Sequence, residues 1–316
     1  MIISKARTRL QIIIVTLLWL LPVVAPAAND APYIFVLGIA QDAGYPQANC
    51  YRPHCMRAWQ DPTLRRLTSS IAVVDGRHGA KYVFDATPDM KEQLYRLQVE
   101  APEISYNLGG IFLTHGHIGH YTGLMHFGRE AVGADAVPVF AMPRMHDFLS
   151  NNGPWSQLVG LRNIELVPIE AGKEIALNDE LSVVPLPVPH RDEYTETVGY
   201  KINGPNKSAL FIPDIDKWNK WDTDIRGLVK DVDYALLDAT FFADGELPDR
   251  DMSEIPHPFV RESMELFADF SETDKAKIIF IHFNHTNPLL IDGSDAQKTV
   301  RSHGFSFASE GMRLPL

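Results

Sequence analysis

Apolar residues recur along the chain in short runs, or in alternation with polar residues, and this pattern predicts a protein rich in β-strands. Runs of about four to eight residues that end at turn-forming residues are typical of strands. The predicted strands cover residues 33–37, 70–74, 81–84, 110–114, 137–141, 164–169, 174–177, 181–188, 198–202, 208–212, 234–238 and 277–282.

Helices are predicted between these strands, over residues 90–98, 124–131, 143–150 and 259–270. Pro88 suits the first turn of the earliest of them. Residues 41–61, which contain Gly44, Pro46 and Pro53, are predicted to be irregular. Strands come first and then alternate with helices, without a repeat or a long linker. This order indicates a single domain over residues 28–316.

Polar side chains stand at the ends of several predicted strands. These residues are Asp85, Thr114, Asp214, Asp238 and His282. Strand ends collect at one edge of a packed sheet, and functional residues concentrate in the segments that leave such an edge. We therefore expect a site at the strand ends.

The first 27 residues have the layout of a secretory signal peptide. Lys5, Arg7 and Arg9 precede an apolar run over residues 10–24, and Ala25-Pro26-Ala27 offers small residues for cleavage. The run is shorter than the roughly 20 residues that span a bilayer, which favours cleavage near Ala27 over a retained anchor. A periplasmic or secreted protein without a stable membrane anchor is expected.

The charge argues against two kinds of partner. The formal net charge is −11, and because three basic residues lie in the signal segment, the remaining chain carries −14. An acidic chain without a basic block is a poor match for nucleic acid or for an anionic membrane. A small-molecule substrate is the expected partner.

Both cysteines lie in the segment predicted to be irregular. The proximity of Cys50 and Cys55 favours a local disulfide in an oxidising compartment. The alternative is a partial zinc site with His54, which lacks a fourth ligand within this loop.

Three histidines fall within six residues directly after the strand predicted at 110–114. His115, His117 and His120 would repel one another if they were charged together. A zinc ion binds neutral imidazole and removes that difficulty. The cluster therefore predicts a metal site.

The residues from Thr114 to Leu124 resemble the HxHxDH signature of the metallo-β-lactamase superfamily. Further markers of that superfamily occur in the expected order, at Asp85, His190, Asp214 and His282. The resemblance covers residues 33–288. It implies an α/β (α+β) fold arranged as a four-layer αββα sandwich.

A narrower resemblance is to the pyrroloquinoline-quinone biosynthesis protein B branch of that superfamily. It rests on residues 37–47, Cys50, residues 85–89 and the sequence His-Phe-Asn-His-Thr-Asn-Pro at 282–288. The branch typically has weak histidine motifs and a cysteine-rich loop that resembles a structural zinc site. This chain keeps all three clustered histidines and has two cysteines, which indicates a relative with a different role.

The superfamily resemblance implies two metal positions. The first would use His115, His117 and His190, and the second His120 and His282, with Asp214 bridging them. Zinc is the expected metal, as one or two ions, and iron and manganese are compatible with the same ligand types.

The chain departs from the superfamily signature at Gly119, where the signature has an aspartate. The second position is therefore either weakened or absent, or it is completed by another residue such as His285 or Asp89.

Two further histidines are weighed as catalytic residues. His285 is expected to serve the leaving group or to replace the missing ligand, beside the orienting role of Asp214. The alternative for His285 is a hydrogen bond within its asparagine-rich turn. His257 stands in a proline-flanked loop, and the sequence leaves open whether it lines the site or is merely exposed.

The function implied is hydrolysis of an ester, lactone, amide or phosphodiester bond by metal-activated water. Two other functions remain open. One is an oxidative, iron-dependent reaction like that suggested for the quinone-biosynthesis branch. The other is metal binding without catalysis, which the loss of the aspartate at Gly119 would favour.

Overall fold

A computed structural model describes residues 31–104 and 108–316, so the predicted signal peptide lies outside the described residues. The strands of the described part are β1 Tyr33–Gly38, β2 Ser70–Asp75, β3 Ala80–Phe84, β4 Gly110–Phe112, β5 Val137–Ala141, β6 Ile164–Pro168, β7 Ile175–Ala176, β8 Ser182–Pro187, β9 Val198–Asn203, β10 Ser208–Ile212, β11 Tyr234–Asp238, β12 Ile278–Ile281, β13 Ser306–Phe307 and β14 Arg313–Pro315.

The α-helices of the described part are α1 Pro53–Gln60, α2 Met90–Glu100, α3 Ile118–Tyr121, α4 Pro143–Asn151, α5 Trp155–Gly160, α6 Ile225–Lys230, α7 Val260–Leu266, α8 Glu272–Ala276 and α9 Asp295–Ser302. Short segments of 3-10 helix cover Pro62–Leu64, Thr122–Phe127, Trp218–Lys220, Met252–Glu254 and Pro288–Leu290. Within the described ranges, no helix has the length and apolar character that a membrane crossing requires.

The strands form two seven-stranded sheets. The first has the order β14-β1-β2-β3-β4-β5-β6, and the second has the order β13-β12-β11-β10-β9-β8-β7. Both sheets are mixed, with β3 to β6 parallel in the first sheet and β10 to β13 parallel in the second.

Side-chain alternation along the strands explains the layers. On β3, Phe84 faces the second sheet, where its ring centroid lies 5.4 Å from that of Tyr200, whereas Val83 joins the cluster under the helices. Successive residues of a strand point to opposite faces. Helices α2, α4 and α5 cover the outer face of the first sheet, and α6, α7 and α9 pack on the second. The predicted four-layer αββα sandwich is confirmed.

Several elements differ from the sequence-based prediction, among them the helices α3, α5, α6, α8 and α9, which were not predicted. The segment predicted to be irregular contains α1, which begins at Pro53 and buries Cys55 and Ala58. The helix predicted over residues 124–131 is the 3-10 turn Thr122–Phe127. Residues 277–282 do not form the last strand, because β13 and β14 follow and add one strand to each sheet.

Candidate metal centre

The predicted site residues lie together where strands of both sheets end. Asp85 follows β3, and the histidine segment follows β4 in the first sheet. Asp214 and His282 follow β10 and β12 in the second sheet. Asp85 and His282 each have a φ of 69°, a backbone region that costs free energy for residues other than glycine. Residues held in this backbone region are often found at functional sites.

The first predicted set of ligands is brought together. His115 Nε2 lies 3.3 Å from Asp214 Oδ2, and His190 Nε2 lies 3.2 Å from Asp214 Oδ1. His117 Nδ1 lies 2.8 Å from His115 Nε2. One ligand atom from each of these four residues falls within 4.8 Å of the others.

The second predicted set is also brought together, with one addition that the sequence-based prediction did not contain. His120 Nε2 lies 3.8 Å from Asp214 Oδ2. Asp42 Oδ1 lies 3.2 Å from His120 Nε2 and 3.4 Å from His282 Nε2. These four residues form a second group of facing ligand atoms, and Asp214 belongs to both groups.

The outer nitrogen of each imidazole is held by an oxygen. Because Asp85 and Glu193 only accept, His120 Nδ1 donates to Asp85 (2.8 Å) and His117 Nε2 donates to Glu193 (2.9 Å). His190 Nδ1 likewise donates to Asp216 (3.2 Å).

His115 and His282 are held through threonine hydroxyls. The Thr114 hydroxyl donates to Asp85 (3.0 Å), so it accepts from His115 Nδ1 at 2.9 Å. The Thr240 hydroxyl donates to Asp238 (2.7 Å) and accepts from His282 Nδ1 at 3.0 Å. With the outer nitrogen of each ring held in this way, the inner nitrogen faces Asp214 or Asp42 and is the atom that a metal would bind, as in metal-ligating histidines.

Three buried polar atoms at the centre lack a hydrogen-bond partner among the described residues. They are His190 Nε2, Asp214 Oδ1 and His282 Nε2. An unsatisfied buried polar atom typically costs about 1–3 kcal/mol, so native structures rarely keep several together. Their convergence fits a cation bound between them, and a set of imidazole and carboxylate ligands suits zinc, iron or manganese.

The electrostatics also fit a cation. Burial opposes the charge of Asp214, but His190 and His257 hold its pKa well below the usual value. Burial and the neighbouring His120 lower the pKa of His115 far below its usual value. For His120 itself, burial is outweighed by Asp85 and Asp42, which raise its pKa well above the usual value. Carboxylates that stabilise a positive charge on a neighbouring imidazole also stabilise a bound cation.

His257 joins the centre, an outcome that the sequence left open. Its Nδ1 donates to Asp238 Oδ2 at 2.8 Å and lies 3.2 Å from Asp214 Oδ1. His257 also lines a cleft of about 690 Å³ beside the centre, together with Asp42 and Arg191. The hydrogen bonds and ion pairs that it makes within the described part of the chain all use Nδ1. No sequence motif indicates that His257 belongs to the site, because its position depends on the packing of a loop against Asp238.

His285 lines the same cleft but lies in a different group of ligand atoms, with Cys50, His54 and Cys55. Burial, with His54 nearby, lowers its pKa to about 4. The structure joins Cys50 and Cys55 in a disulfide, as the sequence favoured. His285 adds a fourth group to the residues of the alternative zinc site, but the disulfide removes the two thiolates that such a site needs. Its catalytic role remains a prediction.

Glu246 connects the two loops that border the cleft, and it provides a pH-dependent prediction. Its carboxylate accepts from the backbone N–H of Phe242 at 2.7 Å and from the Thr286 hydroxyl. Burial raises its pKa from 4.5 to about 7. A raised carboxyl pKa favours the protonated form in the folded state, so this contribution to stability is complete below about pH 4.5 and is lost as the pH rises through about 7.

We expect Glu246→Gln to be increasingly more stable than the wild type between pH 5 and pH 8. The difference should approach at most about 3 kcal/mol. Urea unfolding of both proteins at several pH values measures it, and the shared pH dependence of other groups cancels in the comparison. A difference that stays flat with pH would contradict the assignment.

Comparisons with known proteins agree with this geometry. A family model described as a beta-lactamase superfamily domain matches residues 80–283. Coenzyme PQQ synthesis protein B of Xanthomonas campestris pv. campestris (strain B100) is 27% identical over 308 residues, covering 90% of this chain and 99% of the relative. The protein of the same name from Methylobacterium sp. (strain 4-46) is 26% identical over 309 residues, covering 89% and 99%.

Solved structures share the fold. Zn(2+)-bound PqqB from Methylobacterium extorquens matches with a TM-score of 0.75 at 24% identity, covering 90% of this chain and 100% of that chain. A diphosphatase from the PhnP family matches with a TM-score of 0.61 at 23% identity, covering 90% and 98%. At these identities the structural matches establish the fold alone.

Proposed function

The chain belongs to the beta-lactamase superfamily, and from that premise we propose that it is an exported, metal-dependent hydrolase of a small-molecule ester, lactone, amide or phosphodiester. The observation that carries the proposal is the convergence of five imidazoles on Asp214, each with its outer nitrogen held by an oxygen. Residues with no metal to bind have no reason to share that orientation.

Some residues of the centre would bind the metal, and others would transfer protons. His115, His117, His190 and Asp214 would hold one ion, and His120, His282 and Asp214 would contribute to a second. A bound divalent cation lowers the pKa of water toward about 7 and polarises the bond under attack.

His257 would supply a proton to the leaving group. Burial opposes its charge, but Asp238 and Asp214 raise its pKa well above the usual value, which favours the protonated form. Because Nδ1 is held by Asp238, Nε2 is the atom from which the proton would leave. His285, which lines the same cleft, would orient the substrate or assist the leaving group.

The proposal is tested by metal content and turnover together. The purified protein, prepared without chelator, is expected to contain zinc by elemental mass spectrometry and to hydrolyse at least one member of an ester, lactone, amide and phosphodiester panel. Chelation should abolish that turnover and zinc should restore it. A protein that binds no metal even after reconstitution would overturn the proposal.

A second candidate function is a step in quinone-cofactor biosynthesis. It is favoured by relatives named coenzyme PQQ synthesis protein B that match about nine-tenths of the chain. Tightly bound iron, together with oxygen consumption and no turnover on the hydrolytic panel, would favour this function. Zinc with hydrolysis would exclude an oxidative, iron-dependent step of this kind.

Export is proposed from the N-terminal pattern of basic residues, apolar run and small residues. We expect the protein recovered from the periplasm or the medium of a bacterial host to begin at Ala28. Intact-mass measurement locates the first residue. An Ala27→Leu variant, which removes the small residue at the cleavage position, should keep the leader. Recovery of full-length wild-type protein from the cytoplasm would contradict export.

A further inference from the structure

The second metal position has no carboxylate in the histidine segment, because residue 119 is glycine. We propose that Asp42, from the loop after β1, supplies that carboxylate and completes the position with His120, Asp214 and His282. The inference rests on the metal centre of the proposed function and adds a ligand that comes from outside the histidine motif.

Distance and direction support this assignment. Asp42 Oδ1 faces the inner nitrogens of His120 and His282, at 3.2 and 3.4 Å. Both imidazoles have their outer nitrogens held elsewhere, by Asp85 and Thr240. The carboxylate therefore lies on the side of each ring from which a metal would be bound.

A side chain at residue 119 would overlap with Asp42. A Cβ at residue 119 would lie 2.5 Å from the Cα of Asp42 and 2.7 Å from its Oδ1. Both distances are far shorter than van der Waals contact between such atoms. Since one of the two close atoms is the Cα, no side-chain rotation relieves the overlap. An aspartate at residue 119 and this path of the loop exclude each other.

The loop that carries Asp42 is fixed to the strand end that carries His282. Ala40 forms bridges to both Thr68 and Phe283. The backbone N–H of Gln41 donates to the carbonyl of Phe283 at 2.8 Å, and the N–H of Phe283 donates to the carbonyl of Ile39 at 2.8 Å. Asp42 thus follows directly after a backbone connection to the residue beside His282, which fixes its position relative to that ligand.

The two compensating residues suggested by the sequence are engaged elsewhere. Asp89 accepts from the backbone N–H of Thr68 at 2.8 Å and from its hydroxyl at 2.9 Å. His285 lies in the group with Cys50, His54 and Cys55. In the described part of the chain, neither residue belongs to the group that contains His120 and His282.

Asp42→Asn tests the inference, because asparagine keeps the size of the side chain and removes its charge. We expect two ions per chain in the wild type by elemental mass spectrometry. In the variant, the second ion should be lost or bound at least 10-fold more weakly by calorimetric titration, since even partners outside the ligand set typically change affinity about 10–100-fold. Glu254→Gln is the matched control, because it removes a negative charge from an exposed residue of the same cleft. It should keep both ions.

Gly119→Ala provides a second test that leaves every ligand side chain unchanged. The added Cβ would displace the backbone of Asp42, so the second ion should weaken while the first is retained. Thermal unfolding confirms that each variant is folded.

The possible outcomes separate the two proposals. Two ions of unchanged affinity in Asp42→Asn overturn the assignment of Asp42. A single ion in both the wild type and the variant overturns it as well, but leaves a mononuclear hydrolase. A wild type that binds no metal overturns the proposed function itself.

Discussion

Asp214→Asn is expected to empty both metal positions and to reduce hydrolysis by more than about 100-fold, the upper end of the loss typical for residues outside the ligand set. Asp214 is the residue that the groups share, because its Oδ2 faces His115 and His120 while its Oδ1 faces His190 and His257. Asparagine keeps one oxygen but loses the charge that balances these imidazoles. Elemental mass spectrometry and turnover on the responsive substrate measure the effect.

The matched control for this variant is Asp216→Asn, the same substitution two residues away. Asp216 contacts the outer nitrogen of His190 and faces no metal position. The Asp216→Asn variant should retain both ions, and its affinity for them should be lower by about 10–100-fold. If Asp214→Asn keeps two ions while Asp216→Asn loses one, the bridging role of Asp214 is wrong.

Asp214→Asn should also reduce the stability of the metal-free protein. Breaking a buried ion pair typically costs about 3–5 kcal/mol, because it leaves the remaining charge without a partner. Urea unfolding in the presence of chelator separates this cost from the loss of metal. The wild type and Asp216→Asn should then unfold at higher urea concentrations than Asp214→Asn.

The sequence predicted the part of the centre whose residues follow strands. His115, His117 and His120 are close in sequence, so a turn of chain after β4 suffices to bring them together. Asp214 and His282 end apolar strands, and neighbouring strands place their ends at one edge of a sheet. Period-two alternation and short apolar runs are local signals, and they predicted most of the strands within one or two residues.

The sequence did not predict contacts that depend on loops crossing between the sheets. Asp42 is 78 residues from His120, and the backbone bridges that bring its loop to Phe283 leave no local pattern. His257 reaches the centre through a proline-flanked loop, and the sequence of that loop is equally compatible with an exposed histidine. Strands β13 and β14 have two and three residues, too few to show any alternation. Each of these features is determined by long-range packing rather than by local sequence.

Removing the imidazole of His257 is expected to reduce kcat about 10²–10⁴-fold, the usual contribution of a general acid, while both metal ions remain bound. His257→Gln keeps a polar side chain in the cleft but cannot supply a proton. The loss should be large for a substrate with a poorly stabilised alkoxide leaving group. It should nearly vanish for an activated nitrophenyl ester, whose leaving group needs no proton. An equal loss on both substrates would assign His257 a structural role instead.

Asp238→Asn tests the same role through pH. Asp238 accepts from His257 Nδ1 at 2.8 Å, and its charge is the main influence that raises the pKa of His257 against the effect of burial. Removing that charge lowers the pKa of His257, so the imidazole loses its proton at a lower pH. Because a general acid acts only while protonated, the decline of kcat at high pH should move to lower pH in Asp238→Asn. An unmoved alkaline limb would mean that the proton comes from another group, and His285, which also lines the cleft, would be the next to test.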